Sequence, residues 1–167
     1  MVMGIGRIFR HLCTTSLHLR SRFPQKSLDA IEAEIAKSEN QHTGELRFAI
    51  ETALDLPPLL HGLQSRQRAF DVFSLLRVWD TETNSGVLIY LLLVDHKVEI
   101  VADRGIAAKV EQAEWETVCR EMEQAFRAGD FKGGAIAGVQ RISALLARHF
   151  PPGIRNPNEL PNKPYIF

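Results

Sequence analysis

Residues 79–105, WDTETNSGVLIYLLLVDHKVEIVADRG, decide how the rest of the chain is arranged. An oxygen-rich turn from Asp80 to Gly86 opens into a near-continuous apolar run from Val87 to Val94. Asp95-His96-Lys97 reverse the chain, and Val98 to Val101 return with alternating polarity before Asp103-Arg104-Gly105. Two β-rich runs separated by a polar reversal are expected to form the central hairpin of a sheet, with polar residues crowded at one end.

Outward from the hairpin, Glu45 to Thr52 alternates, with Leu46, Phe48 and Ile50 on one face and Glu45, Arg47 and Glu51 on the other. This is the first strand. Between it and the hairpin lie ALDLPPLLHG, read as a loop, and a helix over residues 64–78 with Phe70, Phe73 and Leu76 inward. Strand, helix and strand make a crossover unit, so the first two strands should run parallel, with the third antiparallel. Residues 111–128 carry Trp115, Val118, Cys119, Met122, Ala125 and Phe126 in one helical stripe that Gly129 stops. GDFKGG then leads to a final helix over residues 135–150. A helix capped by Ser27, ending near Gly44, precedes the first strand. The expected fold is α/β, a three-layer α/β/α sandwich with a small mixed sheet.

Three segments are expected: residues 1–26 as a basic amphipathic helix, 27–150 as the α/β domain, and 151–167 as a Pro-rich tail that is extended or mobile. The first 28 residues hold Arg7, Arg10, Arg20, Arg22 and Lys26 and no acid. Such a segment reads as a membrane-surface helix, an organelle transit peptide, or a helix packed on its own domain. The third reading leads, because most short amphipathic helices cover their own core.

The formal net charge of +0 gives no argument for nucleic acid as a partner. Two cysteines without metal-type spacing argue against a disulfide or zinc scaffold. No apolar run approaches the about 20 residues that span a bilayer as a helix. A cytoplasmic protein, peripheral to a membrane if residues 5–23 dock there, is the expectation, with an anionic membrane surface or a membrane-associated protein as partner.

The topology should bring His42, Thr43, Glu45, Asp80, Glu82, Asn84, Asp103 and Arg104 to one end of the sheet. Asp55, His61, Asp95, His96 and GDFKGG should share the other. D-T-E-T-N-S-G sets oxygens at alternate positions, and calcium takes six to eight of them, which makes Asp80, Glu82, Asn84 and Asp103 a candidate metal set. The plainer reading, a capped turn with a solvated Glu82, is the commoner one for such sequences. A divalent ion on Asp80, Glu82 and Asp103 could polarise a phosphoryl group while Arg104 neutralises charge, so Asp80, Asp103 and Arg104 are the catalytic candidates. No organic cofactor is expected. Gly-x-Ser-x-Gly, His-Glu-x-x-His and paired Cys-His motifs are all missing from the sequence.

TGELRF after a helix, NSGVLIYLLLVDHKVEIVADRGI, and W..VC..ME.AF..G.FKGG...G...I..LL..HFP together resemble the TPM-domain family over residues 27–150. Its members include a thylakoid-lumen phosphatase-like protein linked to photosystem repair. The resemblance implies an α/β/α sandwich and, through a few relatives, phosphatase or calcium-binding activity. This sequence departs from the pattern in its basic N-terminal segment, in lacking a signal peptide and trailing membrane helix, and in Asp103-Arg104-Gly105 where Gly-x-Gly is usual. These departures favour a short cytoplasmic-type member. Two functions follow as expectations: a binding or regulatory module acting on a membrane or protein partner, and a divalent-metal-assisted phosphatase of phosphomonoesters.

Overall fold

The computed structural model describes residues 5–14, 16–153 and 158–167. Residues 1–4 and 15 of the N-terminal segment and 154–157 of the tail, Pro157 among them, lie outside the described residues.

The hairpin forms as β2 (Gly86–Leu92) and β3 (Lys97–Ala102), joined by a 3-10 turn and by His96 at φ 48. A left-handed residue there lets the reversal close tightly. β1 (Glu45–Glu51) lies parallel to β2, with Glu45 opposite Gly86, and β3 pairs antiparallel with β2. The parallel and antiparallel pairings are as the sequence predicts.

Helices cover both faces, which explains why every residue of β1 and β2 is buried. On one face, Phe48, Ile50, Ile89, Leu91 and Ile100 pack against α2 (Ser16–Arg22), α3 (Gln25–Ser38), α7 (Gln112–Arg127) and α8 (Phe131–His149). On the other, Ala49, Leu88, Tyr90, Leu92 and Val101 meet α4 (Leu56–Leu60), α5 (Ser65–Leu75) and Leu160 of the tail. The remaining helices are α1 (Ile5–Cys13) and the single turn α6 (Arg104–Ala107). The result is a three-layer α/β/α arrangement, as expected.

Several expectations are corrected. The tail does not stay apart from the domain: Tyr165–Ile166 form β4, parallel to β1, so that among the described residues the sheet order is β3-β2-β1-β4. Prolines bar a helix there but allow an edge strand. Phe70 points outward and lies under the Arg66 guanidinium at 4.8 Å, while Ala69 and Val72 face the core. Two small residues let α5 approach the sheet where a ring would hold it off. The loop read over 53–62 contains α4, which Pro57 and Pro58 start, since proline fits the first turn. Pro24, not Ser27, sits at the start of α3, and Ser27 is buried. Gly44 needs no left-handed conformation; it is a position of close approach to Leu146.

The outward edge of β3 is closed by side chains. The Val98 N–H donates to Glu123 Oε1 at 3.2 Å, Arg66 Nη1 donates to the Ile100 carbonyl at 2.5 Å, and the Cys119 thiol shares a hydrogen bond with the Ile100 main chain. Burial pushes that thiol up to about 12, so Cys119 is an unreactive packing residue.

Candidate functional site

At the carboxyl ends of β1 and β2 the chain places its own N-terminal helix. His11 is the clamp. Its Nδ1 accepts the Leu54 N–H at 3.0 Å, so the ring proton sits on Nε2, which lies 3.2 Å from Asp95 Oδ2. Arg7 Nε donates to the same oxygen at 2.9 Å, and Arg10 Nη2 stands 3.6 Å from Oδ1. Asp95, which reads in the sequence as a turn residue, thus collects three basic groups from α1. α2 continues the docking with Leu19, and Phe23 follows it into the core against Phe126 and Phe131.

α1 does not fill this end completely. A cleft of about 370 Å³ remains between α1, α2 and the β2–β3 reversal, lined among others by Phe9, Arg10, His18, Arg22, Leu93 and His96. Four of its side chains are Arg or His and none is acidic. Arg22 stacks on the Phe131 ring at 4.8 Å, and His96 meets the same ring edge-on at 5.6 Å. Burial, Arg22, Arg127 and Arg10 together hold the His96 imidazole below its usual range, with only Asp95 opposing.

The opposite end holds the acids. Asp80 is exposed and faces Arg77 at 3.8 Å. The Glu82 N–H donates to Glu159 Oε2 at 2.9 Å. Asn84, at φ 53, accepts Arg104 Nε on its Oδ1 at 3.0 Å, and Asp103 Oδ1 accepts the Arg104 N–H at 2.7 Å. Gly105 lets α6 press on this loop, because a Cβ there would lie 2.6 Å from the Asn84 carbonyl oxygen. The structure therefore brings Asn84, Asp103 and Arg104 together. Asp80 turns to Arg77, and Glu82 is engaged with Glu159 through its main chain.

Among the described residues, no three His, Cys, Asp or Glu side chains form a group that could hold a metal. At this rim Asp103 Oδ2 is buried with no hydrogen-bond partner among the described residues, while a guanidinium already occupies Asn84 Oδ1. With Asp80 turned to Arg77, the candidate set offers a divalent cation too few side-chain oxygens in one place among the described residues.

Next to this loop lies a second acidic group, of which the sequence places Glu45 and His42 at this end of the sheet but gives Glu39 no role. Glu45 Oε2 accepts the N–H groups of Glu159 and Leu160 at 3.2 and 3.1 Å. Glu39 accepts Asn162 Nδ2 at 2.9 Å. Burial, and then the neighbouring Glu45 charge, push Glu39 up to about 7, while burial also raises Glu45. His42 is fully buried beside them and its imidazole is lowered by that burial. On the central strand, Glu51 binds Arg68 and Tyr90, and Arg47 donates to the carbonyls of Pro161 and Lys163. Glu45, Arg47 and Glu51 at alternate positions were the available signal. They read as the polar face of the strand, and nothing local reveals what covers them.

The geometry has counterparts among known proteins. A solution structure of the BA42 protein from the psychrophilic bacterium Bizionia argentinensis is similar, with a TM-score of 0.75 at 30% identity, over 85% of this chain and 93% of that one. The N-terminal domain of a protein from P. gingivalis shares the fold alone, with a TM-score of 0.57 at 15% identity, over 71% of this chain and 72% of that one. No curated protein matches the sequence significantly. The family model described as the TPM domain matches residues 21–145, spanning α3, the three-stranded core of the sheet, α7 and most of α8. The chain belongs to the TPM-domain family.

Proposed function

We propose that this TPM domain is a binding module that attaches peripherally to an anionic membrane surface through α1, α2 and α4. One observation carries the reading. Although α1 and α2 are docked through His11, Leu19 and Phe23, they leave Phe9, Leu12 and Leu17 exposed at 66%, 56% and 71%, interleaved with Arg10 and Arg20. Leu12 borders the same hollow as Leu56, and Leu60 of α4 is 60% exposed.

A docked helix that only covered its own core would turn such side chains inward. Large apolar residues beside arginines suit the boundary between headgroups and acyl chains. Full burial of each apolar side chain is worth about 1.5–3 kcal/mol, and each basic residue near an anionic surface adds about 1 kcal/mol. Three or four such residues suffice for reversible attachment. Among the described residues no helix is long and apolar enough to cross a membrane, so the contact proposed is with the surface. A cytoplasmic location goes with the same reading.

Sedimentation with vesicles tests it. The chain should pellet with phosphatidylserine-containing vesicles and not with pure phosphatidylcholine, and Phe9→Glu with Leu17→Glu should remove pelleting while leaving thermal unfolding unchanged. Equal recovery of wild type and the double variant would reject the proposal. Phosphomonoesterase turnover that depends on a divalent ion and is lost in Asp80→Ala and Asp103→Ala would establish the phosphatase reading instead.

A further inference from the structure

The cleft between α1, α2 and the β2–β3 reversal stands at the carboxyl ends of the parallel strands, where open α/β sheets place their ligands. Its size, about 370 Å³, lies within the range of small-ligand sites. What distinguishes it is the combination of charge and surface. Arg10 and Arg22 rise from two different helices on either side, His18 and His96 add two more nitrogen donors or acceptors, and no carboxylate lines the walls.

Asp95, the acid that acts on His96, is already shared among Arg7, His11 and Arg10. Arg22 makes no ion pair among the described residues; its partner is the face of Phe131, which orients the guanidinium without neutralising it. An oriented, uncompensated guanidinium is a ready partner for a tetrahedral oxyanion, which it binds through two parallel N–H groups. Phe9 and Leu93 supply an apolar wall beside these cations, and Phe9 also belongs to the exposed patch on α1. A ligand that meets both conditions is negatively charged at one end and apolar at the other.

We propose that this cleft receives the phosphate headgroup of an anionic phospholipid, held by Arg10 and Arg22, with Phe9 and Leu93 against the start of its apolar part. The proposal rests on the membrane reading above for the source of the lipid and adds a specific headgroup site to it. His96 is the built-in reporter. It is faced by Arg10 from α1, Arg22 from α2, Arg127 from α7 and Asp95 from its own turn, and it meets the Phe131 ring of α8 edge-on. A bound anion offsets the three guanidinium charges, so the imidazole should move back up on binding.

The test follows the His96 ring by NMR in the full chain, titrated separately with monomeric dihexanoyl phosphatidic acid, dihexanoyl phosphatidylcholine and inorganic phosphate. Vesicle sedimentation is run in parallel. The expected result is a saturable His96 response with an upward pKa change for the phosphatidic acid, little response to phosphatidylcholine, and weaker binding of inorganic phosphate. Arg22→Gln should weaken the phosphatidic acid response roughly tenfold or more, the loss expected for one charge-assisted contact. Its thermal unfolding should match wild type, since the side chain is exposed.

Pelleting with anionic vesicles while His96 stays silent would overturn the headgroup site and leave surface attachment standing. Saturable phosphatidic acid binding without pelleting would keep the cleft and overturn attachment. Inorganic phosphate binding as tightly as the lipid, with no pelleting, would overturn both.

Discussion

Arg68 on α5 donates from Nε and Nη2 to the two carboxylate oxygens of Glu51 on β1, at 2.8 and 2.9 Å. The Tyr90 hydroxyl donates to the same carboxylate at 2.6 Å. This ties the helix of the second layer to the middle of the sheet, on a face otherwise filled by Ala49, Leu88 and Leu92. Removing one partner of a largely buried pair strands the other. Arg68→Ala is expected to cost about 3 kcal/mol, and Tyr90→Phe about 1 kcal/mol, in urea unfolding. The double replacement Glu51→Leu with Arg68→Leu should cost less than Arg68→Ala alone, because no charge is left buried.

Gly86 and Gly129 should respond to alanine for different reasons. A Cβ at Gly86 would lie 1.9 Å from the Val78 carbonyl oxygen, so the central strand or the chain at Val78 must move. Gly129 has open space around it but sits at φ +88 at the end of α7. Gly86→Ala is expected to lose more than about 3 kcal/mol, beyond ordinary overpacking, and Gly129→Ala about 1 kcal/mol from backbone strain. Thermal unfolding of the two variants measures both.

The C-terminal segment should behave as part of the sheet. Deleting residues 158–167 uncovers Leu160's site, removes both carbonyl partners of Arg47, and frees Glu45 from two N–H donors. The midpoint of thermal unfolding is expected to fall by roughly 10 °C, corresponding to a few kcal/mol at this chain length. Hydrogen exchange along Glu45–Glu51 should speed up with it. An unchanged midpoint would show that the segment contributes nothing.

Glu39 should make stability depend on pH in an unusual direction. Its folded value, about 7, lies above the ordinary glutamate value of 4.5, so the folded state holds the proton more tightly than the unfolded one. Its contribution is then fully present below 4.5 and is lost as the pH rises toward 7. Most carboxylates that are paired in a fold act the other way. The stability of Glu39→Gln relative to wild type should therefore increase between those two pH values. The difference is modest, since Glu39 is half-exposed. A flat difference would remove this residue from the proton balance.

The hairpin, the parallel pairing of β1 with β2 and the two long helices were legible because each rests on local periodicity and punctuation, as with Gly129 after the Trp115–Phe126 stripe. What covers a strand is not local. Glu45, Arg47 and Glu51 mark the polar face of the first strand, yet the partners they bind come from residues 159–163 and from Arg68, remote in sequence. The same blindness hid the end occupied by α1, because its attachment hangs on one histidine whose partners, Leu54 and Asp95, are remote in sequence. At the candidate metal rim, strand direction brought Asn84, Asp103 and Arg104 together as the topology requires. The rotation of each side chain, which sends Asp80 toward Arg77, is not written in residue spacing.

The closed border of β3 has a consequence for how copies of this chain meet. With Glu123 on the Val98 N–H and Arg66 and Cys119 on the Ile100 main chain, an incoming strand finds much of its template already engaged. Polymerisation by strand addition is disfavoured on that side. Crowding on a surface can then concentrate the molecules without zipping them into fibres.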